Sequence, residues 1–248
     1  MPSIQPILSR GLYRARRSEG PADIARVQAL RTRCFQVEGL NFDPFDELCE
    51  HVLVEDRASG DLVCCFRLMV LTSVQDMGHS YSAQYYDLTG FHASCSSVAE
   101  VGRFCVHPDW ADPDVLRIAW GAMTVLVDRL GIEVLFGCSS FSGTRTELYL
   151  DAFALLKQRH LAPIHWLPGV KASEVFRFAT QLMLEPDASQ AMQQMPPLLR
   201  TYLFMGGWVS DHAVIDHQMN TLHVFTVLEI QRIPETRKRL LRTVAGVS

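Results

Sequence analysis

Several signals that mark membrane-spanning or disulfide-linked proteins are missing from these 248 residues. No apolar run reaches the ~18 residues that a membrane-spanning helix needs, and residues 1–6 contain no apolar segment of the secretory type. The seven cysteines are odd in number and contain no Cys-x-x-Cys pair, which fits neither a disulfide framework nor a zinc knuckle. We therefore expect a protein of the reducing cytoplasm.

The composition excludes further classes of protein. Hydrophobic residues make up 48% of the chain and charged residues 20%, close to the globular average, which rules out disorder, collagen and coiled coil. The formal net charge of −4 argues against nucleic acid as a partner. A chain of this length buries enough surface to fold without disulfides or structural metal ions.

Helical and strand patterns alternate along the chain in an order typical of a mixed sheet. A helix begins at Pro21, and two β-rich runs separated by Ser59-Gly60-Asp61 predict an antiparallel hairpin. A strand, a capped helix and a second strand then predict a crossover that joins parallel strands; their ranges are 98–106, 113–130 and 132–138. The order predicts an α+β fold with a mixed β-sheet flanked by helices.

Both ends of the chain are basic. Residues 1–20 form a basic leader, and a short basic helix is expected near the end; the residues are Arg10, Arg14, Arg16, Arg17, Arg237, Lys238, Arg239 and Arg242. These clusters are candidate surfaces for an acidic protein or for anionic lipid. Leu240 and Leu241 beside the charges of the tail favour lipid there. The alternative is a solvated tail without a partner.

The strand over residues 98–106 carries two opposite charges in an apolar run, Glu100-Val101-Gly102-Arg103. Buried charges are costly unless they are paired or functional, so a structural ion pair is the alternative to a catalytic role. Residues three apart on a regular strand face opposite sides, whereas a bulge at or near Gly102–Phe104 would direct both side chains to one cleft. A carboxylate base beside a free backbone N–H suits acyl transfer.

Other charged groups occupy interior positions of the N-terminal half. Arg31 and Phe35 lie one helical turn apart and therefore share a face of the first helix. Asp43 and Asp46 flank Pro44, where turn formation is the alternative to a functional role. Arg67 places a guanidinium in the middle of a predicted strand.

These residues resemble the acyl-homoserine-lactone synthases, which are N-acyltransferases of the GNAT superfamily. The resemblance rests on Arg31-x-x-x-Phe35, Phe42-Asp43-Pro44-Phe45-Asp46, Val63-x-x-x-Arg67-Leu68 and Glu100-x-x-Arg103-Phe104-x-Val106. The whole chain is similar to a sister family, the ornithine–acyl-carrier-protein N-acyltransferases, often labelled hemolysin-like. That similarity adds blocks at residues 81–88, 100–109, 137–143, 197–203, 213–216 and 220–221.

The resemblance implies one GNAT-like acyltransferase domain over residues 1–248, with a family-specific C-terminal elaboration over about 161–248. It implies transfer of a 3-hydroxyacyl group from acyl carrier protein to the α-amine of ornithine, which gives lyso-ornithine lipid. By similarity, Glu100 is the general base and Arg103 is catalytic with it. Arg31, Phe35, Asp43, Asp46 and Arg67 match positions that shape the acceptor and acyl sites. The reaction requires no metal and no resident cofactor.

One segment departs from the common GNAT acetyltransferases. They hold the pyrophosphate of coenzyme A on a glycine-rich turn at a helix N-terminus, where this chain has His107-Pro108-Asp109-Trp110-Ala111-Asp112-Pro113. That segment has no glycine, two prolines without N–H groups and aspartates that would repel phosphate. We therefore expect a donor carried as phosphopantetheine on acyl carrier protein.

Three alternatives remain open from the sequence. The chain could be an acyl-homoserine-lactone synthase, which would release a diffusible lactone. It could acylate another amino acid, such as glutamine or lysine. It could also be a non-catalytic membrane-active protein, as the hemolysin label implies. The absence of a membrane span and the presence of Glu100 and Arg103 favour a cytoplasmic enzyme, with peripheral contact at the inner membrane as an additional expectation.

Overall fold

The computed structural model describes residues 5–35, 43–91 and 95–246. Phe42, part of the acidic stretch used above, lies outside these ranges. No helix within them is long and apolar enough to cross a bilayer. In chain order the elements are β1 (Leu8–Arg10), β2 (Tyr13–Arg17), α1 (Pro21–Phe35), β3 (Glu50–Asp56), β4 (Leu62–Leu71), β5 (Tyr86–Asp87), β6 (Val98–Val106), α2 (Pro113–Leu130), β7 (Val134–Ser142), α3 (Leu150–Arg159), β8 (Gly169–Val170), β9 (Val175–Phe176), α4 (Phe178–Gln181), α5 (Ala188–Gln194), α6 (Pro197–Phe204), β10 (Trp208–Asp216), β11 (Thr221–Glu229) and α7 (Glu235–Ala245).

The chain divides into two compact units, neither of which is a continuous segment. The first unit comprises Met1–Val70, Val101–Ile132 and Glu235–Ser248, and the second comprises Leu71–Glu100 and Glu133–Pro234. One passage between the units occurs inside β6, directly after Glu100. The expectation of a single acyltransferase domain over residues 1–248 stays a prediction.

The sheet of the first unit is antiparallel from β1 to β4. Strands β1, β2, β3 and β4 pair in sequence order, and the His107 amide directly after β6 donates to the Val63 carbonyl on β4 at 2.8 Å. Helix α2 begins at an Asp112 cap, whose carboxylate accepts from the Asp114 amide, and ends at Gly131 with φ 64. Gly121 lets α2 approach its neighbours, because a Cβ there would lie 2.7 Å from Leu8.

The sheet of the second unit is mixed. The first three residues of β6 pair in parallel with β7, while β11 runs antiparallel to both β7 and β10. Alternation along the strands gives two apolar faces. One buries Val98, Phe136, Val214 and Phe225, and the other buries Phe141, Val209, Leu222 and Val224. The predicted α+β class with a mixed sheet flanked by helices is confirmed.

Two segments differ from the sequence-based interpretation. The basic leader over residues 1–20 contains strands β1 and β2, and Arg16 on β2 is only 4% exposed. Its guanidinium bonds Asp23 and Glu55, which are close only after the sheet has formed. The second difference is β10, which the sequence analysis did not identify because buried polar residues such as Ser210 and His212 interrupt its apolar pattern.

Candidate active site

Five of the seven predicted site residues form one buried ionic cluster in the first unit. Arg31 on α1 donates through one nitrogen to both oxygens of Asp46, each at 2.8 Å. Arg67 on β4 bridges the two carboxylates, at 2.8 Å from Asp46 and 3.0 Å from Asp43. Arg103 on β6 donates to Asp43 at 2.6 and 3.1 Å. The structure therefore brings together groups from α1, β4, β6 and the segment that follows α1.

A short turn presents the two aspartates of this cluster. Pro44–Leu48 form a 3-10 helix, and the Asp43 carboxylate accepts from the Phe45 amide at 3.0 Å. The expected turn chemistry and the ionic contacts thus occur together, since Asp43 caps the turn and also binds arginines.

Two aromatic rings accompany the guanidinium groups. Phe45 lies 5.7 Å from Arg67, and Phe35, the sixth predicted residue, lies 5.9 Å from Arg103, measured from guanidinium carbon to ring centroid. Contacts of this kind hold a guanidinium in place while leaving its edges for hydrogen bonds. Phe35 therefore lies beside the arginine that the sequence paired with Glu100.

Among the described residues of the cluster, three guanidiniums meet two carboxylates. Burial acts to raise the pKa of Asp43, but the charges of Arg67 and Arg103 outweigh it and hold that pKa below its usual value. Asp43 is therefore ionised at neutral pH.

His51 is a component of the cluster that the sequence analysis missed. Its Nδ1 lies 3.2 Å from an Arg31 nitrogen, and its Nε2 lies 2.9 Å from the Asp46 backbone oxygen. Burial lowers the pKa of His51, and the positive charges of Arg31 and Arg67 act in the same direction. We therefore assign the neutral tautomer in which Nε2–H donates to Asp46 and Nδ1 accepts from Arg31. The sequence feature that could have indicated this role is the position of His51 at the start of the apolar strand β3.

The backbone of β6 departs from a regular pleat at the predicted position. Arg103 has φ 51, the left-handed region that non-glycine residues rarely adopt. Gly102 is needed for a separate reason, because a Cβ there would lie 3.1 Å from Arg67 Nε. The unusual φ thus falls within the expected range Gly102–Phe104, and Arg103 donates to Asp43. That this departure is a bulge directing Glu100 and Arg103 to one cleft stays a prediction.

Glu100 lies in the second unit and is 4% exposed. One of its oxygens accepts from the Tyr81 amide at 2.9 Å, and the other accepts from the Ser82 amide and hydroxyl at 2.7 and 2.6 Å. All three donors are neutral, and they fix the position of the carboxylate. Tyr81 and Ser82 were noted in the sequence only as part of a resemblance. Their contacts with Glu100, across 19 and 18 residues, have no local sequence signal.

The surroundings of Glu100 combine apolar packing with weakly polar groups. Glu100 is opposite Phe136 in the parallel register, and Cys138, two residues further on β7, lies 3.4 Å from the Ser82 hydroxyl through its Sγ.

Tyr86 donates to the His223 carbonyl at 2.7 Å. Burial lowers the pKa of His223 to about 4, so the imidazole is neutral near pH 7.

Comparisons with known proteins identify the family of the chain. The acetyltransferase (GNAT) domain model matches residues 26–121, a range that contains all seven predicted site residues. An L-ornithine N(alpha)-acyltransferase of Rhodobacter capsulatus is 31% identical over 213 residues, covering 84% of this chain and 82% of that protein. The chain belongs to the L-ornithine N(alpha)-acyltransferase family. The family member of Brucella abortus is also 31% identical, over 92% of this chain and 88% of its own.

One solved structure similar to this chain is FeeM, an N-acyl amino acid synthase from uncultured soil microbes, which covers 94% of this chain and 97% of its own, with a TM-score of 0.48 and 10% identity. As a member of the L-ornithine N(alpha)-acyltransferase family with a GNAT domain, the protein is an acyltransferase.

Proposed function

We propose that the protein transfers a 3-hydroxyacyl group from acyl carrier protein to the α-amine of L-ornithine, forming lyso-ornithine lipid. The observation that carries the proposal is the 31% identity with relatives of that name over more than four fifths of both chains. Glu100, held in place by three donors, supplies a group of the type that the reaction needs.

Glu100 is the proposed general base, acting directly or through one water molecule. The amine nitrogen attacks the thioester carbonyl, a C–N bond forms, and the C–S bond breaks to release the carrier thiol. Glu100 takes the proton that the ammonium or the attacking amine must lose, and the thiolate leaving group is protonated in turn. No covalent enzyme intermediate and no metal enter this scheme.

Arg103 is the second proposed catalytic residue and lies three residues after Glu100 in the sequence of β6. It belongs to the ionic cluster, and its side chain is 13% exposed, against 6% for Arg31 and 2% for Arg67. Its guanidinium is therefore the most accessible candidate for binding the α-carboxylate of the acceptor. Arg31, Phe35, Asp43, Asp46 and Arg67 hold it in position.

The start of α2 supports a donor other than free coenzyme A. The Asp112 carboxylate already occupies this helix N-terminus, accepting from the Asp114 amide at 2.9 Å and from the Tyr13 hydroxyl at 2.7 Å. A pyrophosphate bound here would meet that negative charge. A carrier-bound donor has a single phosphate and shares its binding with a protein surface, which suits this site better.

The basic tail helix is the proposed docking surface for the acidic carrier protein. Arg14, Arg16 and Arg17 on β2 are engaged with Glu55, Asp23 and Glu50, so the N-terminal arginines are less suitable than the sequence implied. On α7, Arg237 and Arg239 are exposed. Contact of the same helix with the inner membrane is the alternative occupant, favoured by Leu240, which is 55% exposed.

The decisive experiment incubates the purified protein with 3-hydroxyacyl-carrier protein and a panel of acceptors. Ornithine, lysine, glutamine and S-adenosylmethionine are tested as acceptors in separate reactions. We expect mass spectrometry to show acylated ornithine as the main product. Release of a homoserine lactone, or preferential acylation of another amino acid, would overturn the assignment. Absence of any acyl transfer by the folded protein would favour a non-catalytic role.

A further inference from the structure

Three cysteine thiols from separate elements meet in the first unit. Cys34 on α1, Cys65 on β4 and Cys105 on β6 belong to one apolar cluster that also contains Val27 and Leu30. The Sγ atoms of Cys65 and Cys105 are 3.4 Å apart. The function proposed above uses none of these thiols, although Cys34 lies directly before Phe35 and Cys105 lies two residues after Arg103.

The three thiols differ in access to solvent. Cys65 is fully buried and Cys105 is 6% exposed, whereas Cys34 is half-buried. Cys34 Sγ lies 3.2 Å from the Val106 carbonyl oxygen, which places it against β6 beside Cys105. A small oxidant from solvent therefore reaches Cys34 first.

Cys34 and Cys105 also differ in acidity. A hydrogen bond with Cys105, aided by the charge of Arg33, lowers the pKa of Cys34 although burial acts in the opposite direction. The pKa of Cys105 is raised by its contacts with Cys34 and Cys65 and by burial. Since thiolates rather than thiols react with peroxides, Cys34 is the more reactive group and Cys105 is its neutral neighbour.

We propose that Cys34 and Cys105 form a reversible disulfide when the protein meets a hydroperoxide. The Cys34 thiolate attacks the O–O bond, an S–O bond forms, and the alcohol or water leaves. The Cys105 sulfur then attacks the Cys34 sulfenic acid, an S–S bond forms, and the S–OH bond breaks to release water. Two thiols and one hydroperoxide thus give one disulfide, one alcohol and one water.

The disulfide would tie the end of α1 to β6. Arg31 and Phe35 lie on either side of Cys34, and Arg103 lies close to Cys105 in sequence, so the bond constrains elements that carry the ionic cluster. The proposal concerns the thiols alone and does not depend on the acyl acceptor. A failed ornithine assay therefore leaves it standing, and a failed cross-link leaves the proposed function standing.

The test treats the full chain with one equivalent of hydrogen peroxide and maps peptides without reduction. We expect a cross-linked pair containing Cys34 and Cys105 that dithiothreitol cleaves. Cys105→Ala should stop the reaction at a sulfenic acid on Cys34, which dimedone labels, and Cys34→Ser should abolish the cross-link. Cys65→Ala keeps both partners and should still form the bond.

Cys95 provides the matched comparison, because it is half-buried like Cys34 but lies in the second unit, where burial raises its pKa. We expect Cys34 to be labelled by dimedone about tenfold faster than Cys95. A bond between Cys65 and Cys105 in the wild-type protein, faster labelling of Cys95, or no cross-link at all would each overturn the proposal. The wild-type map alone decides the outcome if a variant fails to fold.

Discussion

Buried carboxylates are held in two different ways in the two units. Asp43 and Asp46 of the first unit bind guanidinium groups of Arg31, Arg67 and Arg103. Glu100 of the second unit accepts from two backbone amides and the Ser82 hydroxyl. Guanidinium partners compensate the aspartate charges directly, whereas the two backbone amides and the Ser82 hydroxyl stabilise the Glu100 carboxylate through their dipoles.

The two arrangements therefore suit different tasks. A carboxylate neutralised by arginines positions those arginines and resists protonation, because the pKa of Asp43 is held low by Arg67 and Arg103 despite burial. A carboxylate fixed by neutral donors is oriented without a counter-charge from those donors. We accordingly propose structural positioning for the aspartates and proton transfer for Glu100.

The largest expected effect is the loss of turnover when the Glu100 carboxylate is replaced by an amide. Glu100→Gln should lower turnover by about 10²–10⁴-fold while the protein remains folded, because the amide keeps the shape but cannot take the proton. Initial rates with ornithine and 3-hydroxyacyl-carrier protein measure the effect, and circular dichroism checks the fold. Glu174→Gln, at a largely exposed carboxylate of the same unit, is the matched control. Near-normal turnover of Glu100→Gln would remove Glu100 from the mechanism.

The same carboxylate-to-amide change in the first unit should lower the stability of the fold, whereas at Glu100 it should lower turnover and leave the fold intact. Asp46→Asn leaves the buried Arg31 without its compensating carboxylate and Arg67 with Asp43 alone, so we expect a loss of about 3–5 kcal/mol in the free energy of unfolding. Urea unfolding provides the measurement. Asp109→Asn, at a side chain that is 81% exposed, should stay within about 0.5 kcal/mol of wild type. If Asp46→Asn were as stable as Asp109→Asn, the ionic cluster would not stabilise the fold.

Acidification should destabilise both units through their buried histidines. The pKa of His223 falls to about 4 in the folded protein against about 6.5 in an unfolded chain, so the folded state binds fewer protons between these values. The contribution of His223 to the free energy of unfolding is therefore fully present above about pH 6.5. It is lost as the pH drops toward 4, and the loss amounts to about 3 kcal/mol. The lowered pKa of His51 acts with the same sign in the first unit.

His223→Leu tests this contribution, because leucine cannot titrate and Tyr86 still finds the backbone carbonyl of residue 223. Urea midpoints measured from pH 7 to pH 4 should fall less steeply for His223→Leu than for the wild-type protein. His51→Gln should flatten the same curve independently. Unchanged slopes in both variants would show that the carboxylates alone set the acid sensitivity.

Much of the candidate site could be predicted from the sequence because its residues violate local patterns. Glu100 and Arg103 are charges in an apolar strand, and Gly102 between them signalled the irregularity that appears as φ 51 at Arg103. Helix α2 was predicted at its observed bounds, because its hydrophobic period and end signals are strong.

The parts that were missed depend on contacts between distant segments. Arg16 looks like a solvated leader residue until Glu55, 39 positions away, becomes its partner. Ser82 binds Glu100 only because the segment before β5 folds over the start of β6. His51 gains its role from Arg31 and Asp46 together. No local pattern encodes such pairings, since each depends on the tertiary arrangement of its unit.

The smallest expected effect concerns the basic surface of α7. Arg237 and Arg239 on α7 are exposed and Lys238 is partly so, while Val244 and Ala245 bury the end of the helix. Reversing the three charges, as Arg237→Glu, Lys238→Glu and Arg239→Glu together, should lower kcat/KM for the carrier-bound donor about tenfold, because electrostatic steering of an acidic partner is lost.

Salt and a lipid arm distinguish the possible outcomes. If α7 docks the carrier protein, raising the ionic strength should lower the wild-type kcat/KM toward that of the triple variant in detergent-free buffer. If α7 instead contacts the membrane, kcat/KM is unchanged and only binding to vesicles with anionic lipid is lost, at about 1 kcal/mol per basic residue. Arg145→Glu, at an exposed residue of the second unit, should change neither measurement. A triple variant that matches wild type in both assays would show that α7 is a solvated tail with no docking role, because reversed charges in a real interface would repel either partner.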